Sequence, residues 1–579
     1  MNKKLCWKLL KVAKTLLKAL SKIIYSILAD MRRDSSLEYR HGHSIIDTAW
    51  DIHRENQTEL VASKDRQIKQ SEAAQKGILA DHQSPALPAD YDREKYVPFG
   101  LGFQKIDETE GHFLISGVTG SGKGLLTQIT MAHVLSLQKR RVVIIDPKND
   151  TLGILHGMNI PYKYFNIAST RGIAWDIAKD AGSYTKLPQI AAILLPADEK
   201  ATDNFWLFAS RALLVAIMRV FIYLFQDEWA FHDVVKAATF LSREELITFL
   251  KQCPGNEAII LSLFSEEVEK ASANVMLEVF TKLERLNTAA VHSQQATEKI
   301  SLKEFMQQDD GVLVIGMDLT EKEAHMPMIH AIFRRLCDFI LALPEYPDVK
   351  TWFFIDEVIF LGYLPGLLDL MVFARSKNAL VTLAIQGMEG MEEIYKKNFS
   401  EIIVEMCRYK AILRSTARTA RWVSSLFGKV EVYDSTSSDN FGSQGVSGGS
   451  QVRKEGREKF YDSTFLELPF PSKAKKLGLT GFFITPDKAE TRKISSERLE
   501  ALMPKKVEVA KEESIDNEQQ LLVPWSEKEK ARFIYGDREK EEVTIDDLLD
   551  EQVVEYFLNF TEEFARKLKQ KDEHEKTED

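Results

Sequence analysis

The chain has 579 residues, 44% hydrophobic and 28% charged, with a formal net charge of −10. That is globular composition and enough length for about three or four folded units; the acidic balance excludes a protein that coats nucleic acid with its whole surface, but not a local basic channel. The four cysteines (Cys6, Cys253, Cys337, Cys407) are isolated, so neither a disulfide framework nor a zinc site is expected, and a reducing compartment fits best.

Residues 1–29 carry seven lysines and no acidic residue. At 100° per residue, Lys4, Lys8, Lys11, Lys14, Lys18 and Lys22 share an arc of roughly 120°. Leu5, Leu9, Val12, Leu16, Leu20, Ile23 and Ile27 fall opposite. Lysine every three or four residues leaves no apolar run of about 20 residues, so this is not a transmembrane helix. It also has no A-x-A-like cleavage site of a secretory signal. The pattern predicts a basic amphipathic helix lying on an anionic, cytoplasmic membrane surface; a helix docked on a partner protein is the alternative. Residues 30–95 are polar, charge-mixed and end in Pro85 and Pro88, and read as a linker.

From residue 96 the pattern becomes α/β. His112–Ser116 reads as a buried strand, Leu125–Leu137 as a helix and Arg141–Asp146 as a second strand, a βαβ unit of a parallel sheet over 96–183. The stretch 184–305 is nearly all helical in pattern and reads as an all-α insertion. Its most apolar part, Phe205–Phe225, resembles a membrane span in composition. Arg211 and Arg219 interrupt it, however, and a single crossing there would separate two halves of one site, so a buried core helix is expected. The α/β pattern resumes over 306–500, with strands at Gly311–Met317, Thr351–Ile355, Leu380–Ile385, Ala411–Arg414 and Gly481–Thr485. Asp434–Gly456 is rich in Ser and Gly and reads as a surface loop. Residues 501–579 read as a charged C-terminal tail with one amphipathic helix, Leu548–Leu568, and an acidic end at 571–579.

Gly117-Val118-Thr119-Gly120-Ser121-Gly122-Lys123-Gly124, followed by Leu125, has the form of a phosphate-binding P-loop. Its glycines let the backbone wrap round phosphate oxygens, and Lys123 would reach the β and γ phosphates of ATP. The position after the lysine normally supplies a hydroxyl to Mg²⁺, and here it is Gly124. Trp352–Ile355 is a strand that delivers Asp356 and Glu357 at the edge where open α/β sheets bind ligands. Asp356 would hold Mg²⁺ and Glu357 would activate the attacking water. Gln386, after the strand LVTLAI, is a candidate γ-phosphate sensor. Arg375 is a candidate charge-stabilising arginine, in cis or from a neighbouring subunit.

Several fragments then converge in order: HFLISGVTGSGKG, VVIIDPKND, DNFWLFASRALL, FFIDEVIFLGYLPGLLDLMVFARSKNALVTLAIQG and RWVSSLFG. With them the chain resembles the coupling ATPases of bacterial type IV secretion and conjugation systems, the TraD/TraG type. Those are in turn similar in fold to the FtsK and HerA translocases. The resemblance implies a RecA-like P-loop core with an all-α inserted domain, assembled as a homohexamer at the cytoplasmic face of the bacterial inner membrane. It implies ATP hydrolysis with Mg²⁺ to bring DNA, single-stranded and bound to a relaxase, to the secretion channel. It also implies that relaxosome proteins contact the acidic end. The chain departs from the family at Gly124 and in lacking transmembrane helices before the loop. Two other readings stay open: a slow-turnover, nucleotide-bound receptor for secreted proteins, and a DNA translocase of chromosome handling or phage defence.

Overall fold

The structure is a computed structural model. It describes residues 92–535 except 93, 100–101, 106–110, 198–204, 265–268, 443–444, 487–488 and 510–520. The N-terminal helix expected over 1–29, nearly all of the linker and the helix and acidic end expected after 535 lie outside the described residues.

The strands are, in chain order, β1 (Tyr96–Phe99), β2 (Gly102–Lys105), β3 (Phe113–Ser116), β4 (Arg140–Asp146), β5 (Lys163–Phe165), β6 (Ala174–Trp175), β7 (Lys299–Ile300), β8 (Gly311–Gly316), β9 (Lys350–Ile355), β10 (Ala379–Ile385), β11 (Tyr409–Ile412), β12 (Lys429–Gly442), β13 (Gly445–Glu458), β14 (Leu479–Ile484) and β15 (Ala489–Ile494). Nine of them form one sheet in the order β15-β14-β11-β3-β10-β9-β4-β8-β5. Pairing is parallel from β11 to β5, and β14 and β15 add to the β11 edge antiparallel. Every residue of β4 and β10 is buried, as a parallel sheet covered on both faces requires. The pleat divides alternate side chains between two cores. Val143, Ile145, Phe353, Ile355, Val381 and Leu383 face one, while Val142, Ile144, Trp352 and Phe354 face the other. Each such side chain contributes about 1.5–3 kcal/mol.

Between β6 and β7 the described chain is helical, including the helices Leu187–Leu194, Phe205–Phe225, Phe231–Phe240, Arg243–Leu250, Glu257–Phe264, Glu269–Glu284 and Asn287–Gln295. Helix Phe205–Phe225 is buried along most of its length, with Ala212 through Met218 fully covered. Its two arginines satisfy carbonyls: Arg211 donates through Nε to Leu195 O at 2.9 Å, and Arg219 through Nη1 to Gly255 O at 3.2 Å. The two ends of the helical stretch meet at its base. There β6 and β7 pair in parallel, and buried Asp180 accepts from Trp175 Nε1, Ser301 Oγ, Leu302 N and Lys303 N.

Two expectations change. Residues 501–509 and 521–535 are not free tail. The stretch 503–509 runs along helix Leu152–Met158, with Val507 N donating to Gly153 O at 3.0 Å. A Cβ on Gly157 would lie 2.1 Å from Lys505 O, so the close approach needs glycine there. Further on, Leu522, Trp525, Phe533 and Ile534 are buried in the core shared with the helices, and Trp525 Nε1 donates to Asp233 Oδ1 at 2.9 Å. A few apolar residues scattered in a charge-rich stretch show no local period, so only long-range packing reveals them. The Ser/Gly-rich stretch expected as a loop forms instead the long strands β12 and β13, which pair with each other as a separate two-stranded unit. A backbone ladder needs no apolar side chains, so composition alone reads it as a loop.

Candidate functional site

The loop 117–122 joins β3 to the helix Lys123–Leu135. Gly120 and Gly122 have φ of 79° and 104°, a region in which a side chain is strained. The loop is tied down by Gly117 N donating to Ile385 O at 3.1 Å and Val118 N to Arg414 O at 2.8 Å. Its rigid start on β10 and on the end of β11 fixes where the helix N-terminus points. Lys123 folds back over the loop, its Nζ donating to Gly117 O at 2.7 Å and Val118 O at 3.3 Å. Burial pushes the Lys123 ammonium below its ordinary pKa, while nearby Glu357 and Asp356 pull it back up. Gly124 lies exposed in the first turn, and a Cβ built on it meets nothing within 4 Å. Packing therefore does not demand glycine at this position.

The acid pair leaves the carboxyl end of β9. Asp356 N donates to Ile145 O at 3.2 Å, extending the ladder with β4 by one step. Glu357 then turns into the left-handed region, φ 61°, a conformation that costs a non-glycine residue about 1 kcal/mol. Its Oε2 accepts from Gln386 Nε2 at 3.0 Å, and its Oε1 is buried with no hydrogen-bond partner. Asp356 is part-exposed, with Lys148 Nζ 3.6 Å from its Oδ2. Asp146, one strand away, is buried and accepts from Thr151 N at 2.7 Å and Lys148 N at 3.1 Å. Burial holds its carboxyl above the usual range, against the hydrogen bonds from Thr151.

Thr119, Gly120, Gly122, Lys123, Gly124, Leu125, Asp356, Glu357 and Gln386 line one cleft of about 840 Å³. That is within the size range of small-molecule sites. Gly117, Val118 and Ser121 belong to the loop without lining the cleft, and the N–H groups of Gly117 and Val118 tie it to the sheet. Arg375 does not join them. It is exposed in the turn Ala374–Lys377 that leads into β10, whereas Gln386 follows the far end of that strand. Seven strand residues separate the two by roughly 20 Å. An action of Arg375 in cis on its own site is therefore ruled out by topology, because residues close in sequence across a strand lie at opposite sheet edges. The fragment Asp146-Pro147-Lys148 stands out in the sequence, but nothing local assigns Lys148 a role. Nor does anything local announce the opposite wall of the cleft, where Pro471, Leu477, Leu499, Met503 and Pro504 contribute apolar surface. That wall is built from segments far away in the chain.

Residues 99–494 match the family model described as the type IV secretion-system coupling protein DNA-binding domain. The coupling protein TraD of Escherichia coli (strain K12) is 23% identical over 389 residues, covering 64% of this chain and 52% of TraD. The chain thus spans about half the length of that relative. Among solved structures, the plasmid coupling protein TrwB in complex with ADP and Mg²⁺ is similar with a TM-score of 0.55 at 19% identity, covering 70% of this chain and 90% of that one. TrwB in complex with a non-hydrolysable ATP analogue has the same TM-score of 0.55, identity of 19% and coverages of 70% and 90%. At these identities the structural likeness speaks for the fold.

Proposed function

The chain belongs to the family of type IV secretion-system coupling proteins, and from that premise we propose that it is an ATP-driven motor delivering DNA, as a relaxase-bound single strand, to a secretion channel. The observation that carries the proposal is the meeting of Lys123, Asp356, Glu357 and Gln386 in one cleft at the carboxyl edge of a parallel sheet. The residues fit a magnesium nucleotide. The loop offers backbone N–H groups and a lysine to phosphate, Glu357 Oε1 is a buried acceptor without a partner, and Asp356 is part-exposed beside it. Among the described residues no three His, Cys, Asp or Glu gather as a metal cluster. Asp356 would thus share the ion with phosphate and water, as Mg²⁺ sites commonly do.

In this reading Lys123 would leave the loop carbonyls for the β and γ phosphates, and Asp356 would hold the metal. Bound Mg²⁺ supplies charge neutralisation on the phosphates. Glu357, oriented by Gln386, receives the proton of the attacking water. Arg375 acts in trans, on the site of a neighbouring protomer in a homohexamer. Residues 1–29 attach the assembly to the anionic, cytoplasmic face of the bacterial inner membrane, and 571–579 meet relaxosome proteins. One observation favours a second reading: Gly124 leaves the metal without its usual hydroxyl, as suits a nucleotide-bound receptor that turns over slowly.

The test is the ATPase rate of the purified chain with and without single- and double-stranded DNA, over a range of protein concentrations. A DNA motor that works as a ring shows stimulation that rises with concentration, and Lys123→Ala abolishes it. Hydrolysis indifferent to DNA rejects the motor.

A further inference from the structure

The turn after β4 is built more firmly than an ordinary connection. Asp146 accepts the backbone N–H groups of Lys148 and Thr151. Asn149 takes the left-handed conformation, φ 57°. Its Nδ2 donates to Met317 O at 3.1 Å, and its Oδ1 accepts from Tyr164 OH at 3.1 Å. Gly316 makes room for it, since a Cβ there would lie 2.2 Å from Asn149 Oδ1. Lys148, between these anchored residues, has its backbone fixed while its side chain stays half exposed and lines the cleft. Its ammonium lies 3.6 Å from Asp356 Oδ2. A surface ion pair contributes little to stability, so stability alone does not account for a turn fixed on both sides of this lysine.

The charge balance of the cleft gives Lys148 work. Asp356 and Glu357 place two carboxylates where a polyphosphate would sit, and Gly124 offers the metal no hydroxyl. From the loop Lys123 faces that excess of negative charge, while Lys473 on the opposite wall is itself paired with Glu500 at 3.4 Å. A lysine on a flexible stem can change partners, because it is a point charge with rotatable donors.

We propose that Lys148 is a second phosphate-binding cation of the cleft. It holds Asp356 in the nucleotide-free protein, yields that carboxylate to the metal when the magnesium nucleotide enters, and turns its ammonium to the terminal phosphate. The proposal rests on the reading of the cleft as an ATP site. It makes two demands: Lys148 competes with Mg²⁺ for Asp356, and it favours triphosphate over diphosphate.

The experiment measures binding of fluorescent ATP and ADP analogues to the full chain, at varied Mg²⁺, for the natural protein and for Lys148→Met, Lys148→Arg and Lys123→Ala, with thermal melts to verify folding. Lys148→Met is expected to lower the Mg²⁺ concentration at half-saturation several-fold. It is also expected to reduce the preference for triphosphate over diphosphate roughly tenfold, the loss of one charge-assisted contact. Lys148→Arg restores the preference. Equal weakening of both nucleotides with an unchanged Mg²⁺ midpoint, as a purely structural lysine would produce, overturns the proposal, and so does no change at all. If Lys123→Ala leaves both nucleotides bound as tightly as before, the ATP-site reading itself fails, and the proposal with it.

Discussion

Gly124→Ser is the most direct probe of how the site would handle the Mg²⁺ of the proposed ATP reaction. The backbone there is helical and exposed, and a Cβ meets nothing within 4 Å, so serine enters without a clash. Replacing glycine in a helix relieves backbone entropy, and the variant is expected to be more stable by about 0.5 kcal/mol. If the site holds Mg²⁺ as proposed, water would take the coordination position that a hydroxyl would occupy. Immobilising an ordered water costs up to about 2 kcal/mol. A serine ligand that removes half of that cost tightens Mg²⁺ binding by about 1 kcal/mol, or roughly fivefold. Titrating Mg²⁺ against both ATPase rate and nucleotide binding reads the shift. A large gain in rate at saturating Mg²⁺ marks a naturally slow site, whereas an unchanged rate means that the site already works without the hydroxyl. A variant that folds and binds nucleotide, but whose Mg²⁺ midpoint does not fall, refutes this account of the metal.

Glu357→Gln is expected to slow hydrolysis about 10²–10⁴-fold, the range for loss of a general base, while nucleotide binding persists; rapid hydrolysis by the variant would dismiss Glu357 as the base. Asp180→Ala orphans Trp175 Nε1, Ser301 Oγ and two backbone N–H groups at the base of the helical stretch. It should cost at least about 3 kcal/mol in denaturant unfolding, and a loss under about 1 kcal/mol contradicts the clamp. Burial lowers the pKa values of His112, His292 and His325 to about 4, so between about 6.5 and 4 the unfolded chain binds protons that the folded chain refuses. Their contribution to stability is complete above about pH 6.5 and is lost as pH falls toward about 4, by up to about 1.4 kcal/mol per pH unit for each histidine. Buried Asp146 and Asp180, whose carboxyls are raised, act in the opposite sense and blunt the loss. Unfolding curves at about pH 7 and about pH 5 should show the lower stability at the more acid value.

The central features of the site follow from local chemistry. Glycines at 120 and 122 are needed where φ is positive, and a lysine opens the following helix. Asp356 and Glu357 end an unbroken apolar strand, and Gln386 ends another. The parallel sheet was legible for a similar reason: strands buried on both faces carry near-continuous apolar runs, as Val142–Ile145 within β4 and most of β10 do. The arginines of Phe205–Phe225 point to a core helix, because buried guanidinium groups need acceptors, and Leu195 O and Gly255 O provide them.

What the tertiary structure alone decided concerns distance across the chain. Arg375 and Gln386 are eleven positions apart in sequence, yet a strand sends them to opposite edges. Lys148 and Asp356 are far apart in sequence, yet the pairing of β4 with β9 brings them within 3.6 Å. The apolar wall residues Pro471, Leu477, Leu499, Met503 and Pro504 and the packed segment 521–535 likewise carry no periodic signal. By itself the sequence singled out the loop with Lys123, the pair Asp356–Glu357 and Gln386 as candidates for phosphate and metal, though not Lys148, because those demands fall on backbone angles and side-chain chemistry within a few positions. Strand order and long-range packing determined which of them share a cleft, because sheet neighbours are set by hydrogen bonding between segments that no local pattern relates.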